Sequence, residues 1–213
     1  MLPVISFIAR PNHGKTTLLE KLLAEFAKRG IRAGVIKHHV HEFEFDKKGK
    51  DTWRHKQAGG HTVILSSPAG IGLVRDVSAD KNVEELVNLY FSDMDIVLTE
   101  GYKWENYPKV EVFRRARGGE PLTGRNDTWL AFVSDADLDT DLPCFGLDDI
   151  KKLADFLLNI PCESTVSLVA DGQPIDLDQT KQTQLKEFMA KLLADELAPQ
   201  ITQHLSLKIR YDR

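Results

Sequence analysis

The sequence is poor in cysteine and has no long apolar run. Its two cysteines, Cys144 and Cys162, are too few for a disulfide framework or a cysteine zinc site. No apolar stretch approaches the roughly 20 residues that span a bilayer, and the first ten residues lack the basic start of a signal peptide. We therefore expect a cytoplasmic protein without a membrane segment.

An excess of positive charge is also missing. The chain carries 28 Lys and Arg against 32 Asp and Glu, which disfavours a general nucleic-acid-binding protein held by phosphate contacts. Its 42% hydrophobic residues are enough for a packed core and exclude wholesale disorder. At about 150 residues per domain, a chain of 213 residues predicts one sizeable domain with room for an appendage.

The start of the chain predicts a strand, a loop, a helix and a second strand. Pro3–Ala9 is a short apolar run typical of a strand buried on both faces. Apolar residues then recur at helical spacing up to Phe26, and Gly30 stands where a C-cap glycine belongs. A second strand over Ile31–Ile36 implies a right-handed crossover. This pattern predicts an α/β fold like that of P-loop NTPases, with a mostly parallel sheet flanked by helices.

The remaining elements are predicted from the same periodicity of apolar residues and from turn residues. The strands His61–Ser66 and Ile71–Arg75 are predicted to form a small hairpin around residues 67–70. Further strands are predicted over Asp95–Gly101, Val110–Phe113 and Trp129–Ser134, and helices over Asn82–Phe91 and Leu147–Leu158. Composition shifts after Pro161, so we predict a nucleotide-binding domain over 1–160 and an extension over 161–213. Asp171-Gly172 indicates a hairpin in that extension, followed by a helix over Gln179–Leu197.

The segment from Ala9 to Thr16 fits the phosphate-loop pattern (A/G)-x4-G-K-(S/T). In such a loop backbone N–H groups surround phosphate oxygens, the lysine reaches the β and γ oxygens, and the hydroxyl binds Mg²⁺. The predicted nucleotide-binding residues are Asn12, His13, Gly14, Lys15, Thr16 and Thr17. Lys15 is also predicted to be catalytic, and Thr16 is predicted to bind the metal ion. Pro11 has no N–H, His13 is bulkier than the small residue common before the last glycine, and Ala9 replaces the usual first glycine. Nucleotide binding is therefore predicted, whereas fast hydrolysis is not implied.

Acidic residues elsewhere are candidates to complete this site. Glu100 ends a buried strand, at the edge where open α/β sheets place their ligands, and is predicted to hold Mg²⁺. The alternative is an acid at the end of a strand that faces solvent or pairs with Lys103. In the loop over 37–56, Asp46 and Asp51 are predicted to bind Mg²⁺ or position water. The histidines at 38, 39 and 41 lack a nearby cysteine, so a polar loop is favoured over a zinc site.

Basic residues gather in a second loop. Lys109, Arg114, Arg115, Arg117 and Arg125 suit phosphate recognition, with a solvated loop as the equal alternative. We predict that the basic loops lie at the ligand edge of the sheet.

Four segments in order resemble the MobB family of molybdopterin-guanine dinucleotide biosynthesis adapter proteins. They are GKTTL at Gly14–Leu18, KHHVHEFEFDKKGKDTWRHKQAGG at Lys37–Gly60, DIVLTEGYK at Asp95–Lys103 and PKVEVFRR at Pro108–Arg115. The resemblance covers about residues 3–160. The second segment is long and unusual, which makes the match far more specific than a phosphate loop alone.

The resemblance implies a GTP-binding protein with Mg²⁺ and at most slow GTP hydrolysis. It implies a homodimer that assists molybdopterin guanylyltransferase, with molybdopterin itself as a further candidate partner, and no nucleic acid or membrane. By motif, Gly14 to Thr17 would bind phosphates and Mg²⁺, and Glu100 would complete the metal site. No NKxD guanine motif occurs in the sequence, and Asp135 or Asp137 are the candidates for a guanine contact.

Two other functions stay open on the residues alone. One is a P-loop kinase or ligase acting on a small acidic substrate held by the basic loop. The other is a non-catalytic interaction module with a degenerate phosphate loop. A further hypothesis gives Arg10 a role across a dimer interface, stabilising charge at the partner's nucleotide.

Overall fold

Six parallel strands form the main sheet of the protein. A computed structural model describes residues 2–38, 46–161, 168–170, 173–175 and 177–196. In chain order the elements are β1 (Val4–Ile8), α1 (Lys15–Lys28), β2 (Ala33–Lys37), α2 (Asp51–Gln57), β3 (Thr62–Ser67), β4 (Gly70–Arg75), α3 (Val83–Tyr90), β5 (Ile96–Glu100), β6 (Lys109–Phe113), β7 (Trp129–Ser134), β8 (Cys144–Gly146), α4 (Ile150–Leu158), β9 (Leu168–Ala170), β10 (Gln173–Ile175) and α5 (Gln179–Glu196).

The strand order of the sheet is β2-β5-β1-β6-β7-β8, and every pairing in it is parallel. The crossover from β1 through α1 to β2 leaves a gap that β5 fills. All six strands therefore end at one edge, and the loops that follow β1, β5 and β6 meet there because these strands are neighbours.

One face of the sheet is covered by α1 and α4. Alternate strand residues such as Phe7, Leu98 and Val112 share a buried cluster with Leu22 of α1 and Leu157 of α4. Side chains alternate across a strand, so this spacing of two puts the apolar set on the helical side. Burial of this cluster is what orients α1, and with it the loop that precedes it.

The opposite face contains buried polar side chains. The hydroxyls of Ser6 and Thr99 are 2.8 Å apart between neighbouring strands. Glu111 accepts hydrogen bonds from Leu122 N at 2.6 Å and from the indole Nε1 of Trp129 at 3.2 Å. The contact from Leu122 ties the long loop between β6 and β7 to the sheet, because its acceptor belongs to β6, whereas the contact from Trp129 joins β7 to β6.

The described residues fall into two compact units, the larger within Met1–His38 and Glu84–Arg213 and the smaller within His39–Val83. In the smaller unit β3 and β4 form an antiparallel hairpin, and α2 precedes it. An ion pair of 2.6 Å between Lys56 Nζ and Asp76 Oδ2 links α2 to the residue after β4.

The predicted α/β fold, with a mostly parallel sheet flanked by helices, is confirmed. The hairpin between β3 and β4 and the strands β1, β5 and β7 lie within one residue of their predicted ends. The predicted helix over Leu147–Leu158 was too long, because its first three residues form a turn in which Gly146 N donates to Asp149 Oδ2 at 3.0 Å. The short edge strand β8 was not predicted, since three residues carry no periodicity.

The extension has the predicted element types. The strands β9 and β10 pair in antiparallel fashion as a separate hairpin, and α5 follows them. The domain boundary at 160 stays a prediction. Within the described residues, no helix has the length and apolarity needed to cross a membrane.

Candidate functional site

The loop between β1 and α1 contains two residues with a left-handed backbone. Asn12 and Gly14 both take positive φ, 62° and 86°, so the chain reverses sharply before the helix begins. Gly14 is the N-cap and makes no side-chain hydrogen bond, which leaves the first N–H groups of α1 uncapped by that residue. Uncapped N–H groups and the positive end of the helix dipole together favour a bound phosphate.

The fold brings together Thr16 and Glu100, the two residues that are predicted to bind the metal ion. The Thr16 hydroxyl donates to Glu100 Oε1 at 3.1 Å. Glu100 is the last residue of β5, and its strand neighbour on β1 is Phe7, just ahead of the loop. The two oxygens therefore meet where the first turn of α1 faces the end of β5.

Lys15 lies in a strongly charged environment. Burial lowers the pKa of its ammonium below the ordinary value; the carboxylate of Glu100 opposes this, and Lys103 and Lys37 add to it. Three lysines thus surround one carboxylate at the end of β1 and β5. A site of that composition attracts an anion, because the positive charges exceed the negative one.

His13 does not point into the phosphate cradle. Its side chain is 4% exposed and turns toward the end of β6, where Nδ1 accepts a hydrogen bond of 3.0 Å from Arg114 N. The imidazole also packs on the ring of Phe113, with centroids 5.7 Å apart. The size of this residue is therefore accommodated outside the cradle, while its backbone remains part of the loop.

Arg114 approaches the loop from β6, and its position was not predicted in this detail. Its Cδ and Nη1 lie 3.7 and 3.8 Å from the place that a Cβ on Gly14 would occupy. Asp135, at the end of β7, lies beside it: Oδ1 accepts from Arg115 N at 2.7 Å and Oδ2 is 3.7 Å from Arg114 Nε. About 101 residues separate His13 from Arg114, so sequence spacing carried no signal of their contact.

The other basic residues divide into two groups. Arg114 and Arg115 follow the end of β6 and lie at the ligand edge, as predicted, whereas Arg125 lies over the ring of Phe132, with its Cζ 5.2 Å from the ring centroid. Lys109 does not lie at the ligand edge: it begins β6 at the opposite edge and is 1% exposed. Its ammonium donates to the carbonyl oxygens of Glu105 and Tyr107 and to the Thr128 hydroxyl, so it stabilises loops instead of binding a ligand.

Arg10 contacts its own chain. Its Nε donates to the carbonyl oxygen of Glu120 at 2.7 Å, and its Cδ and Nε lie 3.6 Å from the position of a Cβ on Gly119. This contact brings the loop after β6 over the phosphate loop. A role of Arg10 across a dimer interface stays a prediction.

Asp46 and Asp51 belong to the smaller unit. Asp46 Oδ1 accepts from Lys47 N at 2.7 Å, and Asp51 begins α2, where its carboxylate is 3.7 Å from Arg54 Nη1. Their catalytic roles stay predictions.

The predicted histidine cluster is only partly described. His39 and His41 lie outside the described residues, and His38 packs on the ring of Tyr102, with the ring centroids 4.7 Å apart. Within the described ranges, no group of three His, Cys, Asp or Glu could hold a metal ion.

A cavity of about 670 Å³ lies at the ends of β7 and β8. Its lining includes both candidates for a guanine contact, Asp135 and Asp137. Asp135 already accepts from Arg115 N, whereas the main-chain oxygen of Asp137 accepts from Arg115 Nη2 at 3.2 Å. The guanine contact stays a prediction for both.

Comparison with known proteins identifies relatives of most of the chain. Residues 4–135 match the family described as "MobB: Molybdopterin guanine dinucleotide synthesis protein B". The molybdopterin-guanine dinucleotide biosynthesis adapter protein of Escherichia coli (strain K12) is 35% identical over 166 residues, which cover 74% of this chain and 93% of that protein. Its counterpart from Haemophilus influenzae (strain ATCC 51907 / DSM 11121 / KW20 / Rd) is 34% identical over 159 residues, covering 74% and 89%.

A solved structure agrees with the fold. The crystal structure of Bacillus subtilis MobB superposes with a TM-score of 0.58 at 27% identity, covering 73% of this chain and 96% of that one. The matched family segment contains the phosphate loop, Glu100 and Arg114, and it ends at Asp135.

Proposed function

Because the chain belongs to the MobB family and is an adapter protein of molybdopterin guanine dinucleotide biosynthesis, we propose that it binds GTP with Mg²⁺ at the loop before α1. We propose further that hydrolysis is slow at most. The nucleotide phosphates would lie on the N–H groups at the start of α1, with the Lys15 ammonium against the β and γ oxygens.

The contact between Thr16 and Glu100 carries this proposal. A hydroxyl and a carboxylate 3.1 Å apart, next to a partly buried lysine, are the groups that a nucleotide with its metal requires at this place. The two oxygens come from elements separated by 84 residues, so the parallel pairing of β1 with β5 is what assembles the site.

The residues present fit Mg²⁺. Hydroxyl and carboxylate oxygens are hard ligands, and Mg²⁺ is usually held by one or two protein oxygens together with phosphate oxygens and water. When bound, the ion would offset the negative charge of the phosphates. Thr16 and Glu100 would hold it, while Lys15 would bind the phosphate oxygens and His13 would support the loop from behind.

The atypical loop supports slow turnover. Pro11 cannot donate an N–H, so one donor of the usual phosphate cradle is missing. Electrostatic stabilisation by positioned donors is the main source of rate enhancement in phosphoryl transfer. A loop with fewer donors keeps binding through Lys15 and the helix terminus while it loses part of the transition-state stabilisation.

Partners are proposed from the family. We propose a homodimer that acts with molybdopterin guanylyltransferase, with molybdopterin as a further ligand. If Arg10 acts across the dimer, mixing Arg10→Ala with Lys15→Ala protein restores part of the hydrolysis that each variant lacks. No restoration in the mixed sample, with dimers verified by light scattering, would contradict the role of Arg10.

Calorimetry with GTP, GDP and ATP, each with Mg²⁺, tests the nucleotide proposal. Micromolar affinity for GTP, with weaker ATP binding, supports it. A preference for ATP would favour a kinase or ligase that holds its acidic substrate on the arginines after β6. Binding of none of the three would favour an interaction module that has lost its nucleotide.

A further inference from the structure

The orientation of His13 establishes its protonation state. A backbone amide can only donate, so the 3.0 Å hydrogen bond from Arg114 N requires Nδ1 to be the unprotonated nitrogen of a neutral ring. The packing of this ring on Phe113 and its almost complete burial keep it from turning toward the cradle. His13 therefore links the phosphate loop to the end of β6.

The hydrogen bond to His13 holds the backbone of Arg114, and the side chain of Arg114 lies over the phosphate loop. Its Nη1 is 3.8 Å from the Cβ position of Gly14, the N-cap residue of α1. Among the described residues Nε is buried without a hydrogen-bond partner, and the charge nearest to it in the ion pairs of the structure is Asp135 Oδ2 at 3.7 Å. The side chain remains 31% exposed, so a ligand in the loop can reach it.

We infer that Arg114 contacts the phosphates of the bound nucleotide in its own chain, and that His13 is the positioning residue that holds it there. The inference rests on the proposed nucleotide binding and adds a contact to it. A guanidinium with unused donors forms bidentate hydrogen bonds to phosphate, which are stronger than those of neutral donors. Gly14 leaves room for the guanidinium because it has no side chain.

The charges around His13 give the link a dependence on pH. Burial lowers the pKa of the imidazole, as do the positive charges of Arg10, Lys15 and Arg114, whereas Asp135 opposes them. A histidine whose pKa is lowered in the folded state stabilises the fold fully at pH values above its ordinary pKa of about 6.5. This stabilisation is lost as the pH falls through the pKa of the folded state. Protonation at Nδ1 would remove the acceptor for Arg114 N and release the arginine.

Matched variants separate positioning from packing. His13→Asn keeps an acceptor the same number of bonds from the backbone and does not titrate, whereas His13→Phe keeps a ring and removes the acceptor. Arg114→Met removes the guanidinium, and Arg32→Met makes the same change at the far edge of the sheet, before β2. Calorimetry with GTP and Mg²⁺ on the full chain, from pH 5 to 8, provides the readout.

We expect Arg114→Met to weaken GTP binding about tenfold or more, and Arg32→Met to leave it within twofold. His13→Phe should weaken binding at pH 7.5, but add nothing further in the Arg114→Met background. Relative to His13→Asn, the wild-type protein should lose affinity as the pH falls. Additive effects of His13→Phe and Arg114→Met, or wild-type affinity that rises in acid relative to His13→Asn, would overturn the inference.

A second measurement distinguishes this inference from the proposed function. Without nucleotide, ¹⁵N NMR should show the His13 proton on Nε2, and the Arg114 amide resonance should shift more in His13→Phe than in His13→Asn. A His13 proton on Nδ1 would overturn the positioning role even in a protein that binds GTP. Failure of the wild-type protein to bind any nucleotide would overturn the Arg114 contact and the proposed function together, but not the His13 link.

Discussion

The Thr16 hydroxyl donates a hydrogen bond of 3.1 Å to the carboxylate of Glu100, across 84 residues of sequence. One partner stands in the first turn of α1 and the other at the end of β5. Their meeting defines the end of the phosphate loop at which a metal ion and the outer phosphates would bind. It also offers a pair of residues whose charge and hydrogen bond can be changed separately.

Glu100→Gln should reduce the contribution of Mg²⁺ to GTP affinity about tenfold. The amide oxygen of glutamine still accepts from Thr16, but the negative charge that favours a divalent cation is lost. Calorimetric titrations of GTP with Mg²⁺ and with excess EDTA measure that contribution. Glu20→Gln, on the exposed side of α1, is the control. If Mg²⁺ raised GTP affinity equally in both variants, Glu100 would not be a ligand of the metal ion.

Lys15→Ala should weaken GTP binding at least tenfold, equivalent to about 1.4 kcal/mol. The ammonium is the charged group expected against the β and γ oxygens. The same affinity should decline at alkaline pH in the wild-type protein, because burial lowers the pKa of Lys15 and its charge is lost as pH rises through that value. Lys28→Ala, in the last turn of α1, is the control. Unchanged binding by Lys15→Ala would contradict the phosphate-loop assignment.

Ser6→Ala should destabilise the protein by about 1–3 kcal/mol, because it leaves the buried hydroxyl of Thr99 without its partner. Thr99→Val should cost a similar amount. In the double variant both polar groups are gone, so its cost should be smaller than the sum of the two. Urea unfolding followed by circular dichroism gives the three values. Strict additivity would mean that the 2.8 Å contact does not stabilise the sheet.

Gly34→Ala should cost about 1–3 kcal/mol through overpacking. A Cβ at this position in β2 would lie 2.2 Å from Cδ1 of Phe91, so the ring would have to move. Gly72→Ala, in β4, is the matched control because no heavy atom lies within 4 Å of its Cβ position. Chemical unfolding of both variants, and of Gly34→Ala with Phe91→Leu, tests the contact. A loss no greater than in Gly72→Ala would mean that Phe91 does not restrict Gly34.

Local pattern was sufficient for much of the fold and for the centre of the site. The apolar run of β1, the Gly-Lys-Thr sequence and the helical spacing after it lie within about 25 residues, so their physics is visible in a short window. Glu100 was found for a similar reason, since an acid at the end of a buried strand has a predictable position in a parallel sheet.

Other residues were beyond that kind of prediction. Lys109 has the charge of its loop neighbours, and only the register of β6 places it at the opposite edge, under three oxygen acceptors. His13 is large for a phosphate loop, and only the tertiary structure provides the ring of Phe113 on which it packs. In both cases the environment is built from segments far apart in the chain, and composition does not encode it.

The sequence by itself determined most of the secondary-structure order, the phosphate loop and the acid that faces it, because each depends on periodicity or on a few adjacent residues. Tertiary structure alone decided that β5 lies between β1 and β2, which brings Glu100 to Thr16. It also decided that His13 holds Arg114 over Gly14. Such contacts depend on which strands become neighbours, and that choice is made by burial of the whole sheet between its covering layers.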